Sequence, residues 1–123
     1  MSRVTLIPGD GIGPEIIQSV KQVCEFLDPA LEFEEINAGL DVYRATGSLL
    51  PDRLIGSFQE TRVALKGPTT TPIGSGHRSI NVQLRQQFKL YANVRPILSI
   101  PGLRGVYSDV DLIVVRENSQ GLY

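Results

Sequence analysis

Between Lys66 and Pro96 the chain reads KGPTTTPIGSGHRSINVQLRQQFKLYANVRP, a run dense in groups that bind anions. Arg85 and Arg95 lie within it, and Arg116 follows in DLIVVREN. A guanidinium fork takes a carboxylate bidentately, so several converging arginines suit a small substrate with more than one carboxylate. The alternative for each is a surface ion pair, for instance Arg116 with Glu117. Ser79 and Asn81 add neutral hydrogen-bonding groups beside Arg85. Thr69, Thr70 and Thr71 offer hydroxyls to a carboxylate, an amide or a phosphate, or form a polar loop closed by Pro72. Lys66 reads as an exposed charge at a strand end, and Tyr123 as a terminal aromatic. His77 is the one histidine. No Cys, Asp or second His stands at ligand spacing from it, and no Ser-His-Asp or Cys-His set can be assembled, so no metal site is expected here.

These groups need elements to position them. Val4 to Ile7 is a short β-branched and apolar run stopped by Pro8-Gly9, which predicts a buried strand and a tight turn. The turn reads GDGIGP, Gly9 to Pro14. It looks like a dinucleotide fingerprint, but Pro14 stands where the third glycine of GxGxxG belongs, so the match fails. What remains is a glycine turn at a helix N-terminus, able to bind an anion or let a flat ligand approach, or simply a structural turn with Asp10 and Glu15 complementing the helix dipole. Pro14 suits a first helical turn, and Ile16, Ile17, Val20, Val23, Cys24 and Leu27 recur at helical spacing up to Asp28-Pro29. A second strand follows over Leu31 to Ile36, then helices over Leu40 to Arg44 and Asp52 to Glu60, then a strand over Arg62 to Leu65. Ile80 to Leu90 predicts a helix whose apolar stripe is Leu84, Phe88 and Tyr91, with Asn81 and Arg85 sharing another face. YANVRPILSIPG predicts an extended segment. Val110 to Val115, apolar nearly throughout, predicts a strand covered on both faces. Alternating strands and helices give an α/β layer fold with a largely parallel sheet.

Composition limits the partners. The chain has 123 residues, 41% of them hydrophobic and 20% charged, with a formal net charge of −1. That balance argues against a nucleic-acid partner or an anionic membrane. Cys24 is the single cysteine, which excludes an intramolecular disulfide and a CxxC metal site. MSRVTLIPGDG runs straight into a strand and turn without a signal-like region, so the expected location is cytoplasmic, or the mitochondrial matrix in a eukaryote.

LIPGDGIGPE, KGPTTTPIGSGHRSINVQLRQQFKLYANVRP and DLIVVRENSQGLY together resemble, in order, the signature blocks of the β-decarboxylating dehydrogenases, which act on isocitrate, homoisocitrate or 3-isopropylmalate. The resemblance spans the whole chain but only the N-terminal third of the family's members. It implies a non-Rossmann layered α/β fold, incomplete here, with residues 1–96 opening a large cofactor-binding domain and 97–123 opening a small one. By resemblance, Ser79, Asn81, Arg85, Arg95 and Arg116 hold a small tricarboxylate. Ile12, Lys66, Thr70 and Thr71 lie by the cofactor or reacting centre, and Tyr123 is the acid that protonates the enol. The implied chemistry is hydride transfer from the substrate hydroxyl to NAD or NADP, followed by loss of CO2. Mg2+ or Mn2+ would assist, held by residues beyond this chain, in a homo-oligomer that shares groups between subunits. Isopropylmalate enzymes carry apolar residues where this chain has Ser79-Ile80-Asn81, so the resemblance favours isocitrate, with NAD as cofactor. Homoisocitrate or 3-isopropylmalate as substrate, or a non-catalytic regulatory or binding fragment, are the competing expectations.

Overall fold

Strand β1 (Ser2–Ile7) lies at the centre of a three-stranded parallel sheet, between β2 (Leu31–Glu35) and β3 (Ala64–Lys66). Its sequence explains the position. Thr5, Leu6 and Ile7 are buried, and branched apolar side chains suit a strand paired on both edges and covered on its faces. The computed structural model describes residues 2–70, 79–103 and 105–119, in two compact units that divide between Ile80 and Asn81.

In the first unit, Pro14 stands in the opening turn of α1 (Gly13–Leu27), where its missing N–H costs nothing, and Ile17 turns inward. Asp28 closes this helix in an extended conformation, and its carboxylate accepts the Ala30 amide at 3.1 Å. Helices α2 (Leu40–Thr46) and α3 (Asp52–Thr61) follow β2. Strand β3 starts later than the predicted Arg62. Arg62 sits at φ 58° and caps α3, donating its amide to the Phe58 carbonyl, and a left-handed residue cannot extend a strand. Helix α3 is tied to the sheet through hydroxyls. Thr5 Oγ1 lies 2.8 Å from both Ser57 Oγ and Thr61 Oγ1, and Ser57 donates to Glu34, which also pairs with Arg3 at 2.7 Å. The apolar core around this network is Leu6, Ile7, Ile17, Ile36, Leu49 and Leu54.

Helix α4 (Ile80–Gln87) is shorter than the predicted Ile80 to Leu90. Lys89 takes the left-handed conformation at φ 52°, and the Leu90 amide donates back to the Arg85 carbonyl at 2.9 Å, a closing pattern that ends the helix. Leu84 is buried as expected. Tyr91, assigned to the same stripe, falls outside the helix and is 73% exposed.

The second unit carries an antiparallel hairpin of β4 (Ala92–Leu98) and β5 (Asp111–Glu117), so the parallel arrangement holds for the first sheet only. The expectation that Val110 to Val115 is covered on both faces is corrected. Every residue of β5 is exposed, because the described hairpin has two strands and both of its faces are open. No helix among the described residues is long and apolar enough to cross a membrane.

Candidate functional site

The glycines of GDGIGP let two loops meet backbone to backbone at the carboxyl edge of the parallel sheet, where open α/β sheets take their ligands. The Asp10 amide donates to the Pro68 carbonyl at 3.0 Å, and the Gly67 amide donates to Ile7 at 2.8 Å. Gly9 sits at φ 83°, and a β-carbon on it would stand 2.9 Å from the Pro68 carbonyl carbon. One on Gly13 would stand 2.9 Å from the Pro68 oxygen. Gly11, at φ 60°, has open space beside it. Ile12, the residue before α1, is 66% exposed, so the turn presents an apolar side chain next to that space.

The Asp10 side chain makes no capping hydrogen bond to α1, although its carbonyl accepts the Gly13 amide at 2.9 Å. The helix has no side-chain cap, and only Glu15 stands in its first turn. The Asp10 carboxylate is instead buried at the junction of three loops. Its Oδ2 accepts the Leu40 amide at 3.0 Å, where α2 begins, and the Thr70 amide at 3.2 Å, in the loop after β3. Gly39 makes room for it, since a β-carbon there would stand 2.9 Å from the Asp10 carboxyl carbon. Lys66 closes β3 half-buried, and its Nζ donates to the Gly67 carbonyl at 2.6 Å and to Thr69 Oγ1 at 3.2 Å. Burial pushes the Lys66 ammonium below its ordinary pKa, and the negative charge of Asp10 partly opposes that shift.

Ser79 and Asn81 flank Ile80, which is 3% exposed. The apolar residue of this trio therefore turns into the protein, while Asn81 stands exposed at the start of α4 with Arg85 one turn further on. In the hairpin, Asn93 pairs across with Arg116, and Arg95 with Val114. Directly opposed residues share a face and alternate residues return to it, so Arg95, Asn93 and Arg116 lie together on one face. Arg95 Nε donates to Asn93 Oδ1 at 3.0 Å. Arg95 stands in the middle of β4, and Arg116 is next to last in β5. Sequence reasoning missed Asn93 and the placement of Asp10. For Asn93 the signal was available, since it stands two residues before Arg95 in an extended run. Thr71, His77 and Tyr123 lie outside the described residues. No group of three metal-ligating side chains occurs among the described residues.

The family model for isocitrate/isopropylmalate dehydrogenases matches residues 3–123. The chain is 50% identical over 121 residues to the chloroplastic 3-isopropylmalate dehydrogenase of Solanum tuberosum, covering 98% of this chain and 34% of that protein. It is 50% identical over 121 residues to the mitochondrial isocitrate dehydrogenase [NAD] catalytic subunit 6 of Arabidopsis thaliana, covering 98% and 32%. The crystal structure of isocitrate dehydrogenase from Methylococcus capsulatus superposes with a TM-score of 0.88 at 46% identity, over 99% of this chain and 36% of that one. The chain therefore belongs to the isocitrate/isopropylmalate dehydrogenase family and has its layered α/β fold. It spans about a third of the length of the relatives it matches.

Proposed function

We propose that this chain supplies the N-terminal part of an enzyme that oxidises and decarboxylates isocitrate to 2-oxoglutarate with NAD, NADP being the alternative cofactor. The observation that carries the substrate is the Ser79-Ile80-Asn81 trio. Its one apolar side chain is buried, which leaves two hydrogen-bonding residues where an alkyl-accepting site would need exposed apolar ones. A site built to hydrogen-bond an arm of its substrate rejects an analogue whose arm is apolar.

In this reading, Arg85, Arg95 and Arg116 take the carboxylates, and Asn93 fixes the guanidinium of Arg95 so that less freedom is lost on binding. Ser79 and Asn81 read the remaining arm. When bound, the nicotinamide cofactor would supply the acceptor for the hydride of the substrate hydroxyl carbon. The turn after β1 fits a nucleotide, because Gly11 leaves space and Ile12 offers an exposed apolar surface beside it. By resemblance, Thr70, Thr71 and Lys66 serve the reacting centre. Lys66, its proton affinity lowered by burial, stabilises negative charge on the substrate oxygen and gives up its own proton more readily than a surface lysine. Tyr123 protonates the enol carbon after CO2 leaves, and a phenol of pKa near ~10 keeps its proton at neutral pH for that step. A divalent cation belongs to the reading with ligands beyond this chain, and no step here passes through it. Residues 1–96 open the large domain and 97–123 the small one, in an oligomeric protein of the cytoplasm or the mitochondrial matrix.

The test is reduction of NAD by the complete protein with Mn2+ and, in turn, isocitrate, homoisocitrate and 3-isopropylmalate. Isocitrate should give the highest kcat/KM, and Arg95→Met should lower it by about tenfold to a hundredfold, the value of a charge-assisted hydrogen bond. A higher kcat/KM on 3-isopropylmalate refutes the reading of the trio. No turnover of any of the three favours a regulatory subunit.

A further inference from the structure

The threonine loop would gain little from carrying the right hydroxyls if its backbone could drift. It lies on a different strand connection from the glycine turn, and a displacement of about 1 Å in a reacting geometry costs about a hundredfold in rate. One buried side chain joins the two. Asp10 Oδ2 receives the Thr70 amide at 3.2 Å and the Leu40 amide at 3.0 Å, so a single oxygen ties the loop after β3 to the start of α2. The backbone of Asp10 completes the attachment from the other side, through its amide on the Pro68 carbonyl at 3.0 Å. The fit is specific to this carboxylate. Gly39, at φ 118°, has no β-carbon where one would collide with Asp10, and a longer acid would need that same space.

We propose that Asp10 is a positioning residue for the reaction: it touches no substrate itself but fixes the backbone of Thr70, and with it the stretch from Lys66 to Thr70. The inference rests on the isocitrate reading above. A carboxylate suits the task because its negative charge strengthens both amide bonds that its one oxygen accepts, where the neutral oxygen of an amide side chain would accept them more weakly. Since Lys66 donates to Gly67 and Thr69 in the same loop, releasing Thr70 also loosens the seat of the Lys66 ammonium.

The experiment uses the complete protein, its Asp10→Ala and Asp10→Asn variants, and Ser57→Ala as a control that weakens the same sheet far from the loop. Amide hydrogen exchange at Thr70 and Leu40 is read alongside kcat and KM with isocitrate, NAD and Mn2+. Asp10→Ala should speed exchange at both amides by about tenfold to a hundredfold, with Asp10→Asn between it and the wild type. In the same order kcat should fall, by about tenfold or more for Asp10→Ala, while the KM for isocitrate changes less, because the arginines that bind it are untouched. Ser57→Ala should leave both amides and kcat within about twofold of the wild type. Freed amides with an unchanged kcat overturn the positioning role, and unchanged exchange at Thr70 overturns the attachment itself. Should Asp10→Ala fail to fold, Asp10→Asn carries both readouts. A wild-type protein without turnover refutes the isocitrate reading instead, and exchange at Thr70 still decides whether Asp10 holds the loop.

Discussion

Three alanine substitutions in one turn separate two physical costs. Gly11 sits at φ 60° with nothing near the place a β-carbon would occupy, so Gly11→Ala pays for left-handed backbone alone. That strain is about 1–2 kcal/mol, before the return of about 0.4–1 kcal/mol from the stiffened unfolded chain that all three substitutions share. Gly13 has ordinary helical backbone, but its β-carbon would press on the Pro8 carbonyl and stand 2.9 Å from the Pro68 oxygen. Neither neighbour is a flexible side-chain end, so Gly13→Ala pays for overpacking, about 1–3 kcal/mol. Gly9 combines φ 83° with a collision against the Pro68 carbonyl, and Gly9→Ala should cost about 2–5 kcal/mol, the sum of both effects. Urea unfolding of the complete protein, followed by far-UV circular dichroism, reads these costs. The expected order of destabilisation is Gly9, then Gly13, then Gly11. Equal losses at Gly9 and Gly11 would refute the close approach of the two loops.

Two further outcomes follow from the same structure. Lys66 is depressed below its ordinary value of 10.5 because burial outweighs the pull of Asp10. Between the folded pKa and that value the unfolded chain binds more protons than the fold, so this lysine makes stability rise with pH across the window and imposes its full penalty below it. Lys66→Met should flatten the rise of stability on going from neutral toward about pH 10, and Asp10→Asn should move the Lys66 side-chain NMR titration lower still, since the opposing charge is lost. An unmoved titration in Asp10→Asn would refute the coupling. On the hairpin, Val94, Pro96, Leu98, Ile113 and Val115 share the face opposite the arginines and are all exposed, with Val94 at 60% and Val115 at 66%. The isolated 123-residue chain should therefore self-associate, and Val115→Lys should shift its sedimentation toward the monomer. A monomeric wild-type chain would refute this.

Element types were legible in the sequence because the local signals are strong: Pro14 opens α1, Asp28 closes it, and the branched run before Pro8 becomes the central strand. The errors fell where a backbone conformation that no residue type announces overrides the pattern. Arg62 and Lys89 both end helices in the left-handed region without being glycine, which shortened β3 and α4 relative to expectation. The apolar run in β5 predicted burial, yet an apolar strand in a two-stranded hairpin has no layer to be buried against among the described residues.

The candidate site divides along the same line. Groups proposed to meet a ligand are legible by type, because guanidinium, hydroxyl and amide chemistry belongs to the side chain. Groups that hold other groups in place are legible only through their partners, and the amides that Asp10 receives lie 30 and 60 residues away. In the hairpin, Asn93 and Arg95 follow from alternation, but their companion Arg116 depends on the pairing of β4 with β5. A slip of one residue in that pairing would send Arg116 to the face of Val94 and Pro96, away from Asn93 and Arg95. Register therefore couples the two faces of the hairpin: the set that lets Val94, Pro96, Ile113 and Val115 form one apolar face is the set that gathers the two arginines on the other.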